Sequence, residues 1–193
     1  MDIIGVKDYL LKRLKVELKP TLFYHNTEHA IDVHHAACQL IEKEGINGHA
    51  KTCIETAALF HDSGMMKQYV NHEEASVMIA REVLPRFGYS SFAIDEIARL
   101  IMVTKLPQKP KDLYEMILCD ADLDYLGRED FLIHAFKLRV EWQVNNIRTT
   151  TLREWFEIQI QFLGNHTYFT PSALLLRHEK KQSNLMEIKQ FLV

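Results

Sequence analysis

Residues 49–62 read HAKTCIETAALFHD, an apolar run rich in Ala, Ile and Leu that ends on two adjacent ionisable side chains, His61 and Asp62. Its apolar residues recur at helical rather than alternating spacing, and Ser63-Gly64 follow as a stop signal. A run such as Ala57-Ala58-Leu59-Phe60 belongs inside a helical bundle, so His61 and Asp62 are expected at the rim of its core. Neither side chain is buried without a partner that offsets its lost hydration. An anion is also disfavoured at a helix C-terminus. A bound cation would remove both conflicts.

The helical spacing extends outward in both directions. Val6, Tyr9, Leu10, Leu14 and Leu18 mark a first helix that ends at Lys19-Pro20. A second is expected from about Tyr24-His25-Asn26 to Glu44, stopped by Gly45. A fourth covers Asn71 to Phe87, its regular part cut short by Pro85. Others span Phe92 to Val103, Leu113 to Leu126, Glu129 to Asn146, Leu152 to Leu163 and Pro171 to Leu192. There is no hairpin signal, internal repeat or flexible linker. With only 7 Gly and 5 Pro in 193 residues, a turn-rich β architecture is disfavoured. The expectation is an all-α fold: one compact multi-helix bundle over residues 1–193. Its metal-site core covers about 24–126, and C-terminal helices over about 129–192 pack on it.

A hydrophobic content of 47% and a formal charge of −3 fit an ordinary soluble domain. They offer no electrostatic support for nucleic-acid or membrane binding. No apolar stretch approaches the roughly 18 residues of a membrane span. Cys38, Cys53 and Cys119 stand far apart with no C-x-x-C pair, which argues against a cysteine zinc site. Their odd number, with no secretory h-region, points to a reducing cytoplasm.

Two further segments carry chemistry. Tyr24-His25-Asn26-Thr27-Glu28-His29 places two histidines four residues apart, on one face if both are helical. Asp32 is three beyond His29 and could fix a ring tautomer by accepting its N–H. Asp120, Asp122 and Asp124 follow the apolar Met116-Ile117-Leu118-Cys119. Three carboxylates this close repel one another unless a cation or divergent orientations intervene. One inward ligand and two outward or supporting groups are expected. An EF-hand does not fit, because Gly is not sixth and Glu is not twelfth. Mixed imidazole and carboxylate donors suit a hard or borderline divalent ion.

In order, context and spacing these residues resemble the HD superfamily of metal-dependent phosphohydrolases, whose pattern is H…HD…D. The resemblance covers about residues 24–126. It implies His29, His61, Asp62 and Asp122 as metal ligands; Asp122 is preferred to Asp120 because Ala121-Asp122-Leu123 is similar to the family's A-D-L. YHNTEHAIDV also resembles the opening motif of class I cyclic-nucleotide phosphodiesterases, which implies His25 as the general acid. Ser63-Gly64-Met65-Met66 stands where those enzymes carry D-H-P-G, and no C-terminal glutamine clamp for a purine is evident. The resemblance therefore implies the metal chemistry, with a cyclic-nucleotide substrate only as an alternative. Asn71-His72-Glu73-Glu74-Ala75-Ser76 is similar to the N-E-x-S element of small stand-alone bacterial relatives. Glu73 could act as a base or hold a water, and His72 could join a second metal. Asn71 and Glu74 also read as an ordinary capping box.

The expected activity is hydrolysis of a phosphoester of a nucleotide or small phosphorylated metabolite, with one or two divalent ions (Mn, Mg, Fe, Ni or Zn). Lys105 could reach a phosphate, and a homodimer is among the expected assemblies. The rivals are a nucleotide-binding module without turnover and a diiron oxygenase. Histidines 34, 35, 49, 134, 166 and 178 and the pairs Trp142/Trp155 and Tyr168/Phe169 read as packing or surface groups. Arg148, Arg153 and Arg177 are candidates for a phosphate that spacing alone cannot place.

Overall fold

The structure is a computed structural model that describes residues 1–192. Its helices are α1 (Ile3–Glu17), α2 (Thr27–Lys43), α3 (Gly48–Phe60), α4 (His72–Val83), α5 (Ser91–Val103), α6 (Leu113–Asp122), α7 (Phe131–Val144), α8 (Leu152–Asn165) and α9 (Pro171–Gln190). Short 3₁₀ turns cover Ser63–Met66, Leu84–Phe87 and Asp124–Gly127. There is no strand among the described residues, and the all-α expectation stands.

The differences from expectation have local causes. Asn26 accepts from the Glu28 and His29 amides, so it caps α2 and leaves His25 in the preceding loop. His25 and His29 therefore do not share a helix face. Leu113 to Leu126 is not one helix: α6 ends at Asp122 and the chain tightens into a 3₁₀ turn. Asn71 is no capping residue. It adopts a left-handed conformation (φ 57°) and makes no side-chain cap bond.

Two cores form. Helices α1 to α6 enclose the first, where Ala57, Ala58, Leu59 and Phe60 are completely buried. The second gathers Trp155, Leu163 and Ile188 from α8 and α9 with Phe131 of α7. Tyr24, Leu123 and Tyr125 also belong to that second core, yet each directly adjoins a polar residue, His25, Asp122 or Asp124. The seam between the cores thus brings the polar segments together.

Gly64 fixes one side of that seam. Its amide donates to buried Ser76 Oγ at 2.7 Å, which gives the serine of the N-E-x-S-like segment a structural task. A Cβ on Gly64 would overlap the His72 carbonyl and sit 2.7 Å from the Ser76 amide. Backbone cannot yield as a flexible side chain does. Gly64→Ala is expected to cost about 1–3 kcal/mol, read as a fall of several degrees in Tm by circular dichroism.

Candidate metal centre

Four side chains from three segments converge at the seam. His29 comes from the first turn of α2, His61 and Asp62 from the end of α3, and Asp122 from the last residue of α6. The two imidazole Nε2 atoms are 3.3 Å apart. Asp62 Oδ2 is 3.3 Å from His29 and 3.2 Å from His61. Asp122 Oδ1 is 3.6 Å and 3.3 Å from the same two nitrogens. One donor atom each from His29, His61 and Asp122 falls within a 4.8 Å cluster.

The His61 tautomer fits these residues to a cation. His61 Nδ1 is 2.9 Å from the Ala58 carbonyl, which can only accept, so Nδ1 carries the hydrogen. In the neutral ring, Nε2 then turns a lone pair toward two carboxylate oxygens and a second imidazole. Lone pairs facing one another repel, and a cation among them resolves the conflict. Without a cation, protons must substitute. Burial opposes protonation of His61, but Asp62 and Asp122 outweigh it and hold its pKa well above the usual range. Burial likewise opposes ionisation of Asp62, and the facing histidines hold its carboxyl well below the normal value. A divalent ion bound here would have to displace the His61 proton, so its affinity would rise with pH.

Further groups extend the site. His72 donates from Nδ1 to the Tyr69 carbonyl at 2.9 Å and presents Nε2 to Asp62 Oδ1 at 3.1 Å. Burial lowers its pKa, but Asp62 more than compensates and raises it to about 9. Asp62 thus offers one oxygen to the His29–His61 pair and the other to His72, a bridging arrangement. Glu73 Oε1 is 3.6 Å from His72, on the wall of the adjoining cavity. Behind Asp122, Gln108 Nε2 donates to Oδ2 at 2.9 Å and fixes the carboxylate plane. Gln108→Ala is expected to weaken divalent-metal binding about 10–100-fold with no change in helical content, as measured by titration calorimetry.

His25 is oriented by a residue that no sequence pattern marked. The Nδ1–H of His25 donates to Glu141 Oε1 of α7, and the Tyr69 hydroxyl donates to the same oxygen at 2.8 Å. Glu141 Oε2 accepts from the backbone amides of Tyr24 at 2.7 Å and His25 at 3.0 Å. Burial disfavours the Glu141 charge, but these donors, His25 first, hold its pKa below the usual carboxylate range. The His25 ring lines the adjoining cavity.

That cavity is about 270 Å³ and runs from His25, Asp62 and Asp122 to an apolar end built by Leu138, Trp142, Ile158 and Phe162. No lysine or arginine lines it among the described residues. Gln159 of α8 lines the same end; it is 4% exposed, and its Oε1 has no hydrogen-bond partner. The sequence alone gave no such glutamine.

Several expected participants point elsewhere. Asp32 does not orient a metal-binding ring; its carboxylate pairs with Arg128 at 2.9 Å. Asp120 is not a second-metal or supporting group. Both its oxygens are occupied by the Phe169 and Thr170 amides and the Thr170 hydroxyl, which clamp the start of α9. Asp124 is buried and held by Arg177 at 2.7 Å, so neither of them is free. Lys105 is not in the cavity: Glu74 at 2.5 Å and Asn71 at 2.9 Å take its ammonium. Arg153 pairs with Glu157 on the surface.

Comparison with known proteins agrees with this architecture. A sequence model of the HD domain matches residues 26–124. An uncharacterized protein of Clostridium beijerinckii is 36% identical over 97 residues, which is 49% of this chain and 61% of that protein. The chain therefore spans less than two thirds of that relative. Two crystal structures share the fold. One is a predicted HD superfamily hydrolase from an uncultured Thermotogales bacterium (TM-score 0.65, 18% identity, 97% of this chain and 90% of that one). The other is Bacillus subtilis YpgQ in complex with ADP (TM-score 0.69, 19% identity, 99% and 95%). With its histidine and aspartate segments inside the matched region, the chain belongs to the HD domain family, in general one of metal-dependent phosphohydrolases.

Proposed function

We propose that this protein is a divalent-metal-dependent phosphohydrolase that cleaves a phosphoester of a nucleotide. The observation that carries the reading is the His61 tautomer. It turns a lone pair into a cluster of His29, Asp62 and Asp122 that only a cation or protons can reconcile. His29, His61, Asp62 and Asp122 would hold the ion, and His72 with Asp62 would serve a second. Such an ion supplies a Lewis acid and lowers the pKa of a water nucleophile.

The protein's own groups do the rest. His25 donates its Nε2 proton to the leaving oxygen, while Glu141 and Tyr69 keep the ring from rotating. Such general-acid help is typically worth about 10²–10⁴-fold. Glu73, on the cavity wall beside His72, is placed to accept a proton from the nucleophilic water. With no lysine or arginine in the lining, phosphate charge is met by the metal centre and the histidines.

The apolar end favours a nucleotide over a small sugar phosphate. Trp142 and Phe162 offer aromatic surface to a flat base. Gln159 offers a buried amide oxygen in need of a donor, and its NH₂ can bond an acceptor on the same edge. The fold neighbour in complex with ADP adds weight to this substrate class.

The test is a panel of nucleoside mono-, di- and triphosphates, cyclic nucleotides and sugar phosphates, assayed with Mn²⁺ and again with EDTA. Metal-dependent turnover of nucleotides is expected. Gln159→Ala should raise KM for the best nucleotide about tenfold, with little effect on p-nitrophenyl phosphate, since an unmet buried polar group costs about 1–3 kcal/mol. Tight nucleotide binding with no turnover of any compound would favour a binding module instead.

A further inference from the structure

We propose that His49, Cys53 and Glu96 form a second, separate cation site, selective for a thiophilic divalent ion such as Zn²⁺. His49 and Cys53 are four apart near the start of α3, so they share one face. Glu96 reaches them from α5, which packs alongside. One donor atom from each falls within a 4.8 Å cluster.

The spacing is that of a coordination sphere. His49 Nε2 is 3.5 Å from Cys53 Sγ. Tetrahedral zinc with ordinary Zn–S and Zn–N lengths separates its sulfur and nitrogen ligands by about 3.6 Å. The imidazole is already oriented, stacked on Phe92 with ring centroids 5.8 Å apart and planes 29° from parallel. Glu96 is not committed elsewhere. Its nearest cation, Arg99, is 3.8 Å away and makes a shorter pair with Asp112 at 2.6 Å. The ligand set of thiolate, imidazole and carboxylate leaves the fourth position to water on the exposed side of His49.

This site is not part of the HD centre. His49 is near the start of α3 and His61 just past its end, twelve residues and about 18 Å along the axis away. The donors differ too, since the cluster of His29, His61 and Asp122 includes no cysteine. Burial, aided by Glu96, pushes the Cys53 thiol up to about 11, so the thiol proton leaves as the metal–sulfur bond forms. An ion here would pin α3 to α5.

Cobalt separates the two sites, because only a thiolate-bound Co²⁺ gives a sulfur-to-metal charge-transfer band in the near ultraviolet. Purified full-length protein, stripped with chelator, is titrated with Co²⁺. The band should appear in the wild type and in Cys38→Ser. It should be lost in Cys53→Ser and in His49→Ala, where the exposed position leaves the fold intact. Glu96→Gln should weaken cobalt binding about tenfold. Excess Zn²⁺ should bleach the band. Absence of the band in the wild type, or its persistence in Cys53→Ser or His49→Ala, would overturn the proposal.

Discussion

Asp62→Ala is expected to abolish metal-dependent turnover, with a fall of at least about 10³-fold, and to leave the purified variant without stoichiometric metal. The size follows from position. Asp62 meets His29 and His61 with one oxygen and His72 with the other, so no other single side chain faces as many imidazoles. Charge stabilisation by a metal is worth several kcal/mol, and each 1.4 kcal/mol is about tenfold in rate. The fold should survive. Asp62 is outside α3, and the buried Ala57–Phe60 run that anchors the helix is untouched. Elemental analysis and circular dichroism on the same sample check both halves. Wild-type turnover in Asp62→Ala removes this residue from the mechanism.

The second large effect belongs to His25 and the residue behind it. His25→Ala should lower kcat about 10²–10⁴-fold with metal content unchanged, because the ring is outside the four-residue donor cluster. Glu141→Gln keeps the shape but offers only one acceptor oxygen to four donors, so part of the same loss is expected. Glu141→Ala should do more. It strands the Tyr24 and His25 amides, the His25 ring and the Tyr69 hydroxyl, and costs about 3–5 kcal/mol of stability. In a double-mutant cycle the two residues should be strongly non-additive, since Glu141 acts through His25. Additive losses in kcat would mean that Glu141 has a separate task.

The sequence carried the helical fold and the polar cluster through different signals. Apolar periodicity placed α1, α3, α5 and α9 nearly to the residue. It failed at α2 and α6, where a cap or a tightened turn, invisible to hydropathy, set the boundary. His61 and Asp62 stood out because they close a segment too apolar to be surface, whereas His29 and Asp122 were marked by the resemblance of their motifs to the HD superfamily.

Glu141 gave no such cue. It is completely buried, whereas Val140 is 41% and Ile133 60% exposed on the same helix. Hydropathy therefore reads α7 inside out, and the reason is a loop more than a hundred residues away. Asp32 and Lys105 erred in the other direction. Each is close in sequence or context to a site residue, but a stronger partner, Arg128 or Glu74, claims it. Gln159 is legible only in space, as an unpaired amide beside an aromatic slot.

The most direct test of the account is anomalous diffraction from crystals grown with Mn²⁺. A peak is expected between the two Nε2 atoms of His29 and His61 and the carboxylates of Asp62 and Asp122, within ordinary coordination distance of each. Crystals that bind Mn²⁺ elsewhere, with the four side chains bridged only by hydrogen bonds, would contradict it.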